Sequence, residues 1–307
     1  MSVPDAAWLW LPITVFASLA QTARNAAQRH LTADLGTLGA TLVRFLYGLP
    51  FAAAWLLLLL GATPFGLPTP NGAFFLWVGG GAVMQLAATA FLLRAMAERN
   101  FALGVAYSKT EIVQVAIFGT LFLGDPLTPA TAAAVAFATS GVLLMSPAVG
   151  ERPLVAMVRG WTSRAALLGL GSGAGFALSA VGFRGAALAL LPSPAPVAAA
   201  YALAWAQSIQ VVLLGGWLLL REPEIVRRTF AAWRVSLLAG LTGALASIGW
   251  FTAMAMAPVA NVRTLGVLEL IFSFVVSRRL FRETLGRREL VGIALLALGI
   301  VGVAQLR

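Results

Sequence analysis

The chain has 307 residues, of which 60% are apolar and only 10% are charged, and its mean hydropathy is +0.90. Because an ordinary soluble domain has about 25% charged residues, this composition excludes a water-soluble globular fold. The sequence contains no cysteine, which excludes disulfides and thiolate metal sites. A net charge of +10 would favour nucleic-acid binding in a soluble protein, but in a membrane protein such charge lies in the loops and sets the orientation.

Long apolar stretches predict an all-α membrane protein with ten transmembrane helices. The stretches are rich in Leu and Ala and lack the period-two alternation of barrel strands, and a spanning helix needs about 20 residues. Gly, Pro and charged residues mark the breaks between them. The predicted helices cover residues 7–28, 37–60, 72–97, 101–123, 128–147, 165–190, 196–220, 232–257, 259–281 and 287–305. The connection from Arg221 to Arg228 is predicted to be a loop.

The arginines indicate the orientation of these helices. Most of them fall in or beside the connections that follow the odd-numbered helices, whereas Arg184, Arg263 and Arg307 fall on the opposite side. Cytoplasmic loops carry an excess of Lys and Arg, so both termini are predicted to lie outside the cell. The expected location is the cytoplasmic (inner) membrane of a bacterium, as a multi-pass integral protein.

The sequence contains an internal repeat. When the chain is shifted by 158 residues, Glu111 falls on Glu269 and Asp125 falls on Glu283. This pattern predicts a duplicated unit, with residues 1–150 as the first five-helix repeat and residues 151–307 as the second. Because five is an odd number, the second repeat must enter the membrane from the opposite side. The prediction is therefore two inverted five-helix repeats, the design of many secondary transporters.

These features resemble the drug/metabolite transporter superfamily, EamA type. The resemblance rests on a glutamate in the middle of a helix in each half, Glu111 and Glu269, and on an acid-x-Leu turn 14 residues later, at 125–128 and 283–286. It covers the whole chain. The resemblance implies a ten-helix transporter, monomeric or homodimeric, that exports small organic solutes such as amino acids, other metabolites or drugs by alternating access.

The two glutamates are the main candidate site residues. An ionisable group inside a membrane is expensive, so it is expected to face the bundle interior and to serve a function. Tyr107, Ser108, Gln114 and Phe118 share a helix face with Glu111 and make a polar stripe flanked by aromatic rings. One interpretation is that a glutamate carries a proton while this face binds the substrate. The alternative is that each glutamate is paired with an arginine and only fixes helix packing.

Basic residues inside predicted helices are the second group of candidates. Lys109 is the only lysine in the chain; it either titrates or binds a substrate carboxylate, or it reaches back to the membrane interface. Arg44 either pairs with Glu111 or clamps an anionic group. Arg24 and Arg184 are expected to reach the interface from helix ends, or to act as gate residues.

The predicted function is therefore a secondary transporter, most simply an exporter of amino acids or related metabolites, with protons as a candidate coupling ion. A multidrug cation antiporter is one alternative, although its relatives carry an essential glutamate in helix 1, where this chain has Gln21 and Arg24. A non-transporting membrane scaffold is another. An enzyme is not expected, because no P-loop, nucleophile elbow or second histidine accompanies His30. No cofactor, metal or nucleic-acid partner is predicted.

Overall fold

The computed structural model describes residues 8–98, 108, 110–145, 164–269, 272, 291, 294, 295 and 298. Tyr107, Lys109, and most of the predicted ninth and tenth helices lie outside the described residues. The described part of the chain is helical and contains no strand. The prediction of an all-α protein is confirmed.

Eleven α-helices follow one another in this part of the chain, with a five-residue π-helix, Val211–Gly215, between the seventh and the eighth. They are α1 (Trp10–Leu46), α2 (Leu49–Ala62), α3 (Gly72–Glu98), α4 (Glu111–Leu123), α5 (Pro129–Met145), α6 (Arg164–Leu188), α7 (Ala195–Gln210), α8 (Gly216–Arg221), α9 (Pro223–Ala231), α10 (Trp233–Met256) and α11 (Val259–Leu265).

The helix boundaries differ from the predicted ones at several places. Residues 29–36, predicted as a connection, lie within α1, but Gly36 has non-helical backbone angles, with φ of 65° and ψ of −179°, so α1 consists of two helical segments joined by a kink at this residue. The predicted loop from Arg221 to Arg228 is wrong because α9 lies there. Pro223 occupies its first turn, where the missing N–H of proline costs nothing. Helix α11 ends at Leu265, before a turn at Gly266.

Five helical stretches are long and apolar enough to cross a membrane. They are Asp34–Ala62, Gly72–Leu92, Leu167–Leu188, Ala195–Arg221 and Trp233–Met256. Large apolar side chains on them are exposed, including Leu57 at 68%, Leu76 at 76% and Leu220 at 85%. Extended exposed apolar surface of this kind is typical of lipid contact. The helical membrane class is thus supported, whereas ten spans in two inverted repeats stay a prediction.

The chain divides into two compact units, and each combines segments from both predicted repeats. The first unit comprises Met1–Leu86 and Ser179–Ala257, and the second comprises Ala87–Leu178 and Pro258–Arg307. The predicted repeats describe similarity along the sequence, whereas the two compact units describe which segments pack together. The predicted division at residue 150 is therefore not tested by this finding.

The first unit is built on the pairing of α1 with α10. Small residues bring the two backbones together: a Cβ added at Gly249 would lie 2.7 Å from the Cβ of Ala17, and one added at Gly240 would meet Tyr47. Between the same helices, the Nε1 of Trp250 donates a hydrogen bond to the Oε1 of Gln21 at 2.8 Å. Close approach through small residues, with polar side chains bonded across helices, is how apolar helices associate in a membrane.

Candidate functional site

The central feature of the second unit is an ion pair between Glu111 and Arg263. The Nη2 of Arg263 donates a hydrogen bond to the Oε1 of Glu111, and the two side chains are 18% and 8% exposed, respectively. The pair joins positions 152 residues apart. A charge-assisted hydrogen bond of this kind is about twice as strong as a neutral one.

Helix termini contribute to the placement of both charges. Glu111, predicted to lie in the middle of a helix, is the first residue of α4, where the helix dipole favours a negative charge. Arg263 lies in the last turn of α11, where the dipole favours a positive one. Each charge therefore lies at the end of its helix that stabilises it.

The turn acid predicted from the repeat fixes the start of α11. Asp125 is 7% exposed, and its Oδ2 accepts a hydrogen bond from the backbone N–H of Val259 at 3.1 Å. Gly124, with φ of 67°, ends α4 in a left-handed conformation that other residues rarely adopt, and the chain then turns to Asp125. Asp125 thereby holds the helix that carries Arg263.

Two further contacts surround Glu111. The Nε2 of Gln114 donates to the Oγ1 of Thr110 at 3.0 Å, one turn along the same helix face. On the other side, Gly173 of α6 lies against the backbone of Ser108 and Glu111, where an added Cβ would be 2.9 Å from the Ser108 carbonyl oxygen. The absence of a side chain at Gly173 lets α6 approach the start of α4.

The second unit thus contains most of the predicted acidic site. Ser108 and Glu111 are buried, Gln114 and Phe118 are half-buried, and Phe118 lies 6.1 Å from the ring of Phe122. Glu269, at 7% exposure, is also buried in this unit.

The basic candidates are distributed differently. Arg44 is buried in the first unit, at 9% exposure. Arg24, expected to reach the membrane interface or to act as a gate residue, is 6% exposed. The Nη1 of Arg184 donates to the carbonyls of Met254 and Ala257, both at 2.7 Å, so Arg184 closes the carboxyl end of α10.

Arg263 is the site residue that sequence reasoning missed. It was counted with the external arginines because it lies near the start of the predicted ninth helix. The signal that identifies it is its position five residues into an otherwise apolar segment, where a charge needs a partner.

The arrangement places the buried carboxylate of Glu111 in contact with the half-buried guanidinium of Arg263. Among the described residues, no cluster of His, Asp or Glu has the grouping of a metal site.

Comparison with known proteins supports the fold alone. No family model matches the chain, and no curated protein matches it. A solved structure described as "Crystal structure of protein" is similar to it, with a TM-score of 0.69 and 18% sequence identity, over 99% of this chain and 97% of that chain. At this identity the likeness establishes a shared overall fold.

Proposed function

We propose that the protein is a secondary transporter of the EamA-type drug/metabolite kind, which moves small organic solutes across the cytoplasmic membrane. Amino acids or related metabolites are the expected solutes, and export is the expected direction. The long apolar helices support a membrane location. The proposal includes no enzymatic step and no cofactor.

The observation that carries the proposal is the Glu111–Arg263 pair within a largely apolar bundle. A charged side chain at the membrane centre costs about 2.5–3.5 kcal/mol on insertion scales. Apolar residues of similar volume often replace a buried ion pair without loss of stability. A pair of charges in such a place would serve to bind the charged groups of a solute. A glutamate paired with an arginine is also what the packing alternative predicts, and the transport rate of a Glu111 variant distinguishes the two.

Alternating access is the expected mechanism. In transporters built from inverted repeats, solute binds near the membrane midplane and one part of the protein moves against another. If protons couple to transport, protonation of Glu111 would release Arg263, because a neutral carboxyl no longer attracts the guanidinium. Glu269 is the second candidate for the proton-carrying group.

The alternative functions differ in what they require of this pair. A multidrug antiporter binds organic cations at a carboxylate, and the guanidinium of Arg263 on Glu111 opposes that use. A non-transporting scaffold would use the pair only to fix helix packing, so its function would not depend on solute binding at either charge.

Transport is tested with purified protein in liposomes. We expect uptake of a labelled amino acid mixture, and we expect Glu111→Gln to reduce the rate by about tenfold or more, since it removes a charge-assisted interaction worth about 1.5–3 kcal/mol. Imposed pH gradients in either direction show whether protons drive the flux.

The matched control is Glu224→Gln, because the side chain of Glu224 is 52% exposed in α9. This variant is expected to transport at the unaltered rate. Wild-type rates in Glu111→Gln would remove Glu111 from the mechanism, and uptake of organic cations without amino acids would favour the antiporter.

A further inference from the structure

Helix α9 lies between two stretches that are long and apolar enough to cross a membrane. Ala195–Arg221 precedes it and Trp233–Met256 follows it. Because consecutive spans are joined at a face of the membrane, α9 belongs at the boundary between lipid and water. Its composition does not suit the hydrocarbon core, since three of its nine residues, Glu224, Arg227 and Arg228, are charged.

One face of α9 is held against the rest of the first unit. Val226 is 8% exposed and packs in a buried cluster with Leu42 and Leu218. Thr229 is fully buried, and its backbone carbonyl accepts a hydrogen bond from the hydroxyl of Tyr47 at 3.2 Å. These contacts fix which side of α9 faces outward.

The outward side of α9 carries arginines and an aromatic ring. The side chains of Arg227 and Arg228 are 82% and 61% exposed, and Phe230 is 56% exposed. Beyond the end of the helix, Trp233 is 52% exposed, and the Cζ of Arg234 lies 5.5 Å from its ring centroid. Aromatic rings beside arginines are typical of the headgroup region of a bilayer, because the rings enter the acyl boundary while the guanidinium groups reach the phosphates.

The segment 221–234 has an excess of positive charge. It contains four arginines and two glutamates, which leaves a net charge of +2. Arg221 and Arg234 are exposed and take part in no ion pair with the described residues. A cluster of basic residues next to a spanning helix attracts the anionic lipids of the membrane surface.

The single acid within α9 is shared by two arginines. The Nη2 of Arg227 and the Nε of Arg228 donate to the Oε1 of Glu224, at 3.2 and 3.3 Å, and these bonds lower the pKa of its carboxyl group. Both ion pairs are exposed, so water screens them and a phosphate group is able to compete with the carboxylate. Each guanidinium group has five N–H donors, more than one shared carboxylate uses.

We propose that α9 and its flanking residues form a docking surface for the headgroups of anionic phospholipids. This α9 surface consists of Arg221, Arg227, Arg228, Phe230, Trp233 and Arg234. Its arginines bind the headgroup phosphates, and its two rings rest among the first carbons of the acyl chains. The inference depends on the membrane location of the protein, and it does not depend on transport or on the Glu111–Arg263 pair.

Lipid-induced thermal stabilisation of the purified protein in a neutral detergent tests the surface, because a ligand that binds the folded state raises its melting temperature. The probes are dioctanoyl phosphatidylglycerol, which is anionic; dioctanoyl phosphatidylcholine, which has the same chains and no net charge; and glycerophosphoglycerol, which is the anionic headgroup without chains. We expect phosphatidylglycerol to bind about tenfold more tightly than phosphatidylcholine, because several arginines face its headgroup. Glycerophosphoglycerol is expected to give no saturable shift.

Variants assign the parts of the surface. Arg227→Gln/Arg234→Gln should weaken phosphatidylglycerol binding by about tenfold or more and leave phosphatidylcholine binding unchanged. Phe230→Ser should weaken the binding of both lipids, because both have acyl chains. Glu224→Gln should strengthen phosphatidylglycerol binding, because it removes the carboxylate that competes with the phosphate. Arg94→Gln is the matched control, since Arg94 is exposed in α3, outside the α9 surface, and it should bind both lipids as the wild type does.

Three results would each overturn the proposal. The first is equal binding of phosphatidylglycerol and phosphatidylcholine, or no shift with either, since the charge of the headgroup would then not be recognised. The second is unaltered phosphatidylglycerol binding in Arg227→Gln/Arg234→Gln. The third is a glycerophosphoglycerol shift as large as that of phosphatidylglycerol, which would indicate a site for a soluble phosphate ester. If the double variant does not fold, Glu224→Gln decides the question, and a failure to bind phosphatidylglycerol more tightly would contradict the proposal.

Discussion

Glu111 is held between two favourable positive charges, the guanidinium of Arg263 and the amino end of α4. Its ion pair differs from a surface ion pair such as Arg227 with Glu224, whose side chains are 82% and 52% exposed. An exposed pair is worth about 0–1 kcal/mol, because water and salt screen it. In the buried pair, each partner compensates the desolvation of the other.

Removal of one partner from this pair should be costly. We expect Arg263→Gln to lower the free energy of unfolding by about 3–5 kcal/mol, because it leaves the Glu111 carboxylate buried and unpaired. The double variant Arg263→Gln/Glu111→Gln should lose less than the sum of the two single losses. Unfolding in mixed detergent micelles measures all three variants, and additive losses would contradict a direct interaction.

Sequence reasoning found one member of the pair and missed the other for a physical reason. A glutamate in an apolar helix can be recognised from the nearby sequence alone, because the free energy of burying its charge depends on the apolar residues around it. The identity of its partner depends on how α4 and α11 pack, which no local pattern records. The same limit applies to Arg24, whose burial depends on the contact of α1 with α10.

At the scale of elements, glycines decide how closely helices pack. Gly249 lets α10 approach Ala17 and the carbonyl of Ile13 in α1. Gly216, in α8, has no atom within 4 Å of an added Cβ. The two positions share a helical backbone and differ only in their surroundings.

Gly249→Ala should therefore destabilise the protein, whereas Gly216→Ala should not. The added methyl group at residue 249 would overlap Ala17, and overpacking of this kind costs about 1–3 kcal/mol. At residue 216 the higher helix propensity of alanine should give a neutral or slightly stabilising change. Melting temperatures in detergent compare the two variants, and equal melting temperatures would mean that α1 and α10 move apart at little cost.

Two long helices, α3 and α10, were predictable from the sequence, whereas the bounds of α1 and the short helices were not. The predicted segments 72–97 and 232–257 differ from α3 and α10 by at most one residue at each end, because a polar residue or a proline lies close to the ends of each apolar run. Helix α9 is short and rich in charge, and such a composition resembles a loop. Proline and charged residues are typical of breaks between helices, but Pro223 lies in the first turn of α9, where proline also begins helices.

At the scale of the whole molecule, the distribution of arginines makes a prediction about orientation. Most of them fall on one predicted side, which the positive-inside rule assigns to the cytoplasm. A C-terminal reporter that is active only outside the cytoplasm should therefore be active when fused after Arg307. The matching control is a reporter that is active only in the cytoplasm, and activity of that second fusion would reverse the orientation.

The composition of the two compact units has a consequence for biosynthesis. The first unit needs Ser179–Ala257 to complete what Met1–Leu86 begins, and the second needs Pro258–Arg307. During synthesis the helices of Met1–Leu86 therefore enter the membrane before the ribosome has made Ser179–Ala257, the segment with which they pack. A chain truncated at residue 150 would contain no complete unit, and quality-control proteases should degrade it even though Asp34–Ala62 and Gly72–Leu92 are apolar enough to insert.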